Sequence, residues 1–264
     1  MRRWIIQTIA FFAGNHYFQS IIRNEGFYQG PLKRFCFPYF TCYSCPLAVA
    51  SCPLGSIQHF LSLQLIPFYV IGFLGLIGVF IGRMVCGYLC PIGFLQDILY
   101  RIKSFKFKIP NWLANLKYVF LFGLVVIGAY LTAEPAFCKI CPVGSTQAGI
   151  PLVLWDPFQS SLRPLIGWHY YFKVSIFALF LLLIISSRRF FCRVMCPLGA
   201  IYSLFNRFSI LQLRVNKDKC IECNSCELLC PMGIKVYQQP NQADCIRCFE
   251  CVKKCPTKAV YVGW

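Results

Sequence analysis

Residues 61–93 read LSLQLIPFYVIGFLGLIGVFIGRMVCGYLCPIG, and two features of that stretch decide the fold. From Leu61 to Gly82 there is no charge over 22 residues. As one helix this run is about 33 Å long at 1.5 Å per residue, enough to cross a bilayer core. Immediately beyond it come Arg83, then Cys86-x3-Cys90, with Pro91 directly after the second cysteine. An apolar span that ends in a cysteine pair is the unit from which the rest of the chain reads.

Three further stretches read as membrane segments. Trp112 to Ala133 has Lys117 near one end and Tyr170 to Ser187 has Lys173 in the same position, both placed to snorkel. Trp4 to Ile22 has no charge but contains Asn15, His16 and Gln19, so it reads as a span, an interfacial helix or a targeting segment. Trp112, Trp155, Trp168 and the tyrosines around Tyr170 read as interface anchors. Composition agrees: 58% of the 264 residues are apolar and 13% are charged. Average domains hold about 25% charged residues, so too little polar surface remains for a water-facing body. The expected fold is an α-helical integral membrane protein with about four transmembrane helices and an internal pseudo-twofold repeat, followed by a small α+β domain.

Basic residues between the spans set the orientation. Residues 83–111 hold Arg83, Arg101, Lys103, Lys106 and Lys108, and the stretch after the last span opens with Arg188, Arg189 and Arg193. Residues 134–169 hold only Lys139 and Arg163, while Arg2 and Arg3 precede the first span. The first two groups read as cytoplasmic. Both termini are then inside and residues 23–60 and 134–169 outside, although Arg23, Lys33 and Arg34 blunt the contrast in the first outer loop. The expected location is the cytoplasmic membrane of a bacterium or archaeon.

The phrase Cys-Pro-x-Gly recurs at Cys52, Cys90, Cys141 and Cys196. The outer copies extend as Cys52-Pro-Leu-Gly-Ser-Ile-Gln and Cys141-Pro-Val-Gly-Ser-Thr-Gln; the inner copies share Cys86-x3-Cys90-Pro and Cys192-x3-Cys196-Pro. Each unit, about 36–110 and 134–207, thus runs from an outer cysteine motif through a membrane helix to an inner one. Two units of like orientation imply a pseudo-twofold axis along the membrane normal. That axis gathers Cys86, Cys90, Cys192 and Cys196, the four thiolates that one [4Fe–4S] cluster requires. Proline bars the preceding residue from the helical region and glycine permits a sharp turn, which suits a loop wrapping a cluster. Cysteine used merely as a small packing residue does not call for a repeated phrase.

On the outer side Cys36, Cys42, Cys45, Cys52, Cys138 and Cys141 are candidates. Matched spacing pairs Cys42-x2-Cys45 with Cys138-x2-Cys141, whereas the longer phrase aligns Cys52 with Cys141. One cluster plus a disulfide, a second cluster with a non-cysteine or partner ligand, and disulfides throughout all stay open.

The C-terminal spacing is the most specific signal: Cys220-x2-Cys223-x2-Cys226-x3-Cys230-Pro, then Cys245-x2-Cys248-x2-Cys251-x3-Cys255-Pro. The fourth cysteine of each such run serves the other cluster. Cys220, Cys223, Cys226 and Cys255 therefore form one set, and Cys245, Cys248, Cys251 and Cys230 the other. Structural zinc leaves the Cys-Pro ends unexplained. A tail of about 50 residues builds too small a core, so clusters must supply much of its folding energy. The expected division is 1–213 for the membrane domain and 214–264 for a cytoplasmic two-cluster domain.

Residues 214–264 resemble the bacterial dicluster ferredoxins. Over 1–264 the chain resembles the membrane polyferredoxin family, which includes the NapH subunit of periplasmic nitrate reductase systems and the membrane core of the NosR protein. The resemblance rests on the predicted spans, the paired Cys-x3-Cys-Pro motifs and the terminal cysteine runs. It implies quinol oxidation or electron relay between cytoplasm, membrane and a periplasmic partner. The crowd of outer cysteines departs from the simpler family pattern and leaves the partner undetermined.

Clusters on both sides of a bilayer make sense if electrons cross it. About 30 Å of hydrocarbon is too long for one hop, so inner and outer clusters must dip toward the midplane, or a quinone or haem must lie between. At least four [4Fe–4S] clusters are expected, two in the tail, one inner and one or more outer. They bring about −2 each, so part of the +17 formal charge is compensation and not a nucleic-acid surface. His59 and His169 are candidates for a quinol base or a haem ligand, and like His16 fall in the outer half. Asp97 reads as a helix cap or a proton relay. Neither a Gly-rich phosphate loop nor a Ser–His–Asp order occurs. The chain reads as an electron-transfer subunit among membrane lipid and other subunits of a redox complex. The alternatives are a quinol dehydrogenase in its own right and a cluster-based redox sensor.

Overall fold

The computed structural model describes residues 3–22, 27–107, 109–110, 112–155 and 166–263. Arg2, Arg23, Lys108 and Arg163 of the charge argument lie outside the described residues, as does the side chain of Trp155.

The repeated phrase has one local structure. Helices α2 (Pro53–Ser62), α4 (Pro91–Leu99), α6 (142–155) and α8 (Pro197–Phe205) each begin on the proline. The cysteine before it is the N-cap, extended with ψ between 108° and 126°. A residue before proline is driven to that region, and proline costs no hydrogen bond in the first helical turn. The glycine therefore sits inside the first turn and does not turn the chain as expected.

Among the described residues two helices are long and apolar enough to cross a bilayer: α5 (Leu113–Thr132) with 20 residues and α7 (Trp168–Ser186) with 19. The expected span 61–82 is instead divided. α2 stops at Ser62, Gln64 is left-handed (φ 59°), and Pro67 precedes α3 (Phe68–Ile81). Proline has no N–H for the helical ladder, and the 14 residues of α3 extend only about 21 Å. The first candidate span is likewise broken. α1 (Arg3–Gly14) ends as buried Asn15 donates its side-chain amide back to Phe11 O (2.9 Å), and the turn Gln19–Ile22 is separate.

A twofold pattern governs the packing. α1 packs on α4 as α5 packs on α8, and across the units α3 packs on α8 as α7 packs on α4. Each unit thus takes in the helix before its outer cysteines. α3 approaches α8 closely because Gly78 lies there; a Cβ would fall 2.6 Å from the Phe205 ring. Phe68, Leu76, Leu131 and Leu182 point outward, 60–75% exposed.

The tail is a ribbon of β1 (Gln212–Val215) and β2 (Val260–Gly263), paired antiparallel from Gln212↔Gly263 to Val215↔Val260. Two short helices, α9 (Ser225–Leu229) and α10 (Glu250–Lys254), accompany it. Its backbone lies directly on the helical part: a Cβ at Gly87 would be 2.4 Å from Ile246 O. Asn206, just after α8, donates to the carbonyls of Gln242, Ala243 and Cys245, and Arg247 Nη2 donates to Asn206 O (2.7 Å).

Candidate metal centres

The cysteines gather into four cages. Cys86, Cys90, Cys192 and Cys196 line one enclosed cavity, from the N-caps of α4 and α8 and the turns before them. Cys42, Cys52, Cys138 and Cys141 line an outer cavity of 480 Å³. Cys220, Cys223, Cys226 and Cys255 surround a third space at the end of the tail, and Cys230 is grouped electrostatically with Cys245, Cys248 and Cys251. Cys36 and Cys45 are buried but do not line the outer cavity; Cys36 lies 3.5 Å from Ser56 Oγ. None of the 18 cysteines is in a disulfide. The outer set mixes the two sequence alignments: Cys42 enters from one and Cys52 from the other.

Charges read in the sequence as surface features are instead buried around these cages. Arg83 and Arg189 stand three residues before Cys86 and Cys192, and both are fully buried. They cross the pseudo-twofold: Arg83 Nη2 donates to Cys192 O (2.5 Å) and Arg189 Nη1 to Cys86 O (3.2 Å). The motif glycines make room for them. A Cβ at Gly199 would fall 2.7 Å from Arg83 Nη2, and one at Gly93 3.2 Å from Arg189 Nη1. Asp97 lies inside α4 and not at its cap, and it pairs with Arg189 (2.7 and 2.9 Å) and Arg3. The matching position in the second unit is Ser203, and the carboxylate for Arg83 comes from the tail as Asp244 (3.2 Å). Asp244 also binds Lys117, which does not snorkel but is buried. Lys173 likewise lines the outer cavity.

This charge distribution fits anionic clusters. The buried charged side chains among the described residues are Arg83, Lys117, Arg189, Arg193 and Arg247 against Asp244, five cations to one carboxylate. Each cation lies in electrostatic reach of a cysteine of the inner cage or of the Cys230 cage. The buried cations outnumber the carboxylates that meet them, Asp244 and the half-buried Asp97, and burying such an excess is costly. Oxidised [4Fe–4S] cores on four thiolates carry about −2 each and would offset it. Burial pushes the Cys52, Cys245 and Cys251 thiols up to about 12, so thiolates form there only against a metal. Among the described residues no three His, Cys, Asp or Glu side chains meet closely enough for a single ion. A tetrahedral zinc site would hold its sulfurs about 3.8 Å apart. In the tail, Glu222 and Asn224, and at matching offsets Arg247 and Phe249, are left-handed (φ 47–57°). Such alternation turns successive N–H groups into an anion-binding hollow.

The inner and outer cages are neighbours. Phe40 lines both cavities. Its backbone lies against the Cys90 thiol, and Cys42 of the outer cage is two residues on, a reach of about 7 Å. The Phe40 ring contacts Phe191 and Phe137 (centroids 5.6 and 6.5 Å), each beside a cage cysteine. His59 lines the outer cavity; His169 is exposed at the start of α7 and His16 is exposed with Nδ1 3.0 Å from Ala13 O.

The 4Fe-4S binding domain family profile matches residues 63–110, 117–152 and 171–217, and a second 4Fe-4S binding domain profile matches 213–235. An uncharacterised protein of Methanocaldococcus jannaschii is 35% identical over 68% of this chain and 71% of its own length. The chain belongs to the membrane polyferredoxin family. The methylamine utilization ferredoxin-type protein MauN of Paracoccus denitrificans is 30% identical over 59% of the chain and 52% of its own length. The regulatory protein NosR of Stutzerimonas stutzeri is 28% identical over 66% of the chain and 24% of its own length. The chain thus spans only part of these relatives, and about half or less of the latter two. Like its family it is a ferredoxin-type electron-transport protein with 4Fe–4S domains. No solved structure matches it.

Proposed function

We propose that this chain is the iron–sulfur electron-transfer subunit of a membrane redox complex, linking the cytoplasmic face to a quinone pool or an external redox partner. Four cages would hold [4Fe–4S] clusters: Cys220/Cys223/Cys226/Cys255, Cys230/Cys245/Cys248/Cys251, Cys86/Cys90/Cys192/Cys196 and Cys42/Cys52/Cys138/Cys141. Bound clusters supply one-electron oxidation and reduction. The protein's own residues exclude water, as Phe40 and Phe191 do, and neutralise charge, as Arg83 and Arg189 do. Chief support is the serial order of the cages, from exposed Cys223 through the docked tail to an inner cage that shares Phe40 with the outer one.

The outward apolar belt supports membrane crossing by about four segments, α1 and the divided α2–α3 included. Exposed Arg101, Lys103 and Lys106 keep residues 100–107 on the cytoplasmic side, with both termini there and the tail beginning near residue 213. Iron and sulfide quantification on anaerobically purified protein tests the assignment. About 16 Fe per chain is expected; about 8 would confine metal to the tail and refute it.

One observation favours quinol oxidation by the chain itself. The outer cavity that Cys42, Cys52, Cys138 and Cys141 line is mostly apolar and also carries His59 at its wall. Imidazole suits a base near neutral pH. Quinol-dependent reduction of the isolated chain, lost in His59→Ala at unchanged iron content, separates this activity from simple relay.

A further inference from the structure

The Cys-Pro-x-Gly helices share one more position. Six residues past the leading cysteine stand Gln58, Gln96 and Gln147, with Tyr202 in the fourth copy. Gln58 and Gln96 are fully buried and make the same three contacts. Gln96 Nε2 donates to Ile92 O (3.3 Å) and to Cys192 Sγ (3.1 Å), while its Oε1 accepts from Phe191 N–H (3.0 Å). Gln58 Nε2 donates to Leu54 O (3.3 Å) and to Cys138 Sγ (3.4 Å), and its Oε1 accepts from Phe137 N–H (2.9 Å). Each amide thus reaches from the first unit to the first cysteine of the second unit's motif and to the residue before it.

The other two copies reach back without touching a thiol. Gln147 Oε1 accepts from Cys42 N–H (2.6 Å), and Tyr202 OH donates to Pro38 O (2.8 Å). Donors on sulfur are therefore confined to one thiol in the inner cage and one in the outer from this position.

A primary amide has two N–H donors and one acceptor oxygen, and these contacts satisfy it. Its donor on sulfur favours the thiolate, because hydrogen bonds to an ionised acceptor are the stronger ones. Hydrogen bonds to ligating sulfur also stabilise the more negative, reduced state of a cluster and raise its potential. The acceptor end pins the backbone that carries the cysteine.

We propose that Gln58 and Gln96 are positioning residues that clamp the outer and inner cages across the pseudo-twofold and hold the cluster potentials there above the value without the amide. This rests on the cluster assignment made above. The test is a redox titration followed by electron paramagnetic resonance on the full chain, with iron and sulfide counted in parallel. Gln96→Leu and Gln58→Leu are compared with wild type, together with Gln96→Glu, which keeps the acceptor for Phe191 N–H but loses the donor. Full iron with the inner potential moved negative in both Gln96 variants, and the outer one in Gln58→Leu, is the expected result. Unchanged potentials at full iron overturn the inference. So does loss of iron in the leucine variants alongside an unchanged potential in Gln96→Glu. A wild-type count of about 8 Fe would instead defeat the cluster assignment itself, so the two failures are distinct.

Discussion

Asp244→Asn keeps the side chain's shape and removes one charge from the contact between tail and membrane part. The carboxylate faces Arg83 and Lys117, whose side chains are 0% and 2% exposed, while its own is 12% exposed. Removing one partner of a buried pair costs about 3–5 kcal/mol, because the other charge stays buried. Asp244 belongs to the tail and both cations to the membrane part, so the cost falls on docking. At the lower figure the undocked population rises about 100-fold. Amide hydrogen exchange over 206–215 and 242–249 reads this directly as faster exchange. Asp97→Asn is the control: its carboxylate pairs with Arg189 and Arg3, not with the tail, and leaves tail exchange unchanged. Burial opposes the charged form, yet Arg83 and Lys117 outweigh it and hold the Asp244 carboxyl below the ordinary range. Its contribution is therefore complete above about pH 4 and is lost as pH falls through the lower folded value. Wild type and variant should converge in acid. Equal protection at pH 7, or an equal effect from Asp97→Asn, would refute the reasoning.

Cys52→Ser should lower the iron count by about 4 per chain, while Cys36→Ser and Cys45→Ser leave it unchanged; iron analysis on the purified variants decides. Gly87→Val should dislodge the tail, since even a Cβ would fall 2.4 Å from Ile246 O; faster proteolysis after residue 206 with the membrane part intact is the expected readout. Phe40→Ala should cost about 3–5 kcal/mol in thermal stability and change electron passage between the inner and outer cages, seen as altered reduction kinetics of the outer signal.

That the tail cysteines come together is legible from spacing that is local and rigid, and that Cys86, Cys90, Cys192 and Cys196 share one cavity is legible from a phrase repeated in two units. Which outer cysteines share a cavity is not legible. Cys45 N–H bonds Cys42 O in a tight turn (3.2 Å), and the loop then delivers Cys52, ten residues beyond Cys42, to the cavity. Neither spacing nor repeat reveals such a loop. The burial of Arg83, Arg189 and Lys117 stayed hidden for a different reason: position relative to a span does not say which cations a cofactor's charge draws inward. The one cue was Arg-x2-Cys-x3-Cys-Pro at both Arg83 and Arg189. Hydropathy over 61–82 averaged across Pro67 and so joined two helices into one.

The crossed arginines also bear on ancestry. Each half of the chain holds two cysteines of the inner cage, two of the outer, and an arginine whose carbonyl partner lies in the other half. A single half is incomplete. A one-unit forerunner would finish its binding sites only as a symmetric homodimer, and gene fusion would then replace concentration-dependent association with tethering at high effective concentration. Fusion also frees the halves to diverge: Ser203 stands where the first unit has Asp97, and Arg83 takes its carboxylate from Asp244 of the appended tail.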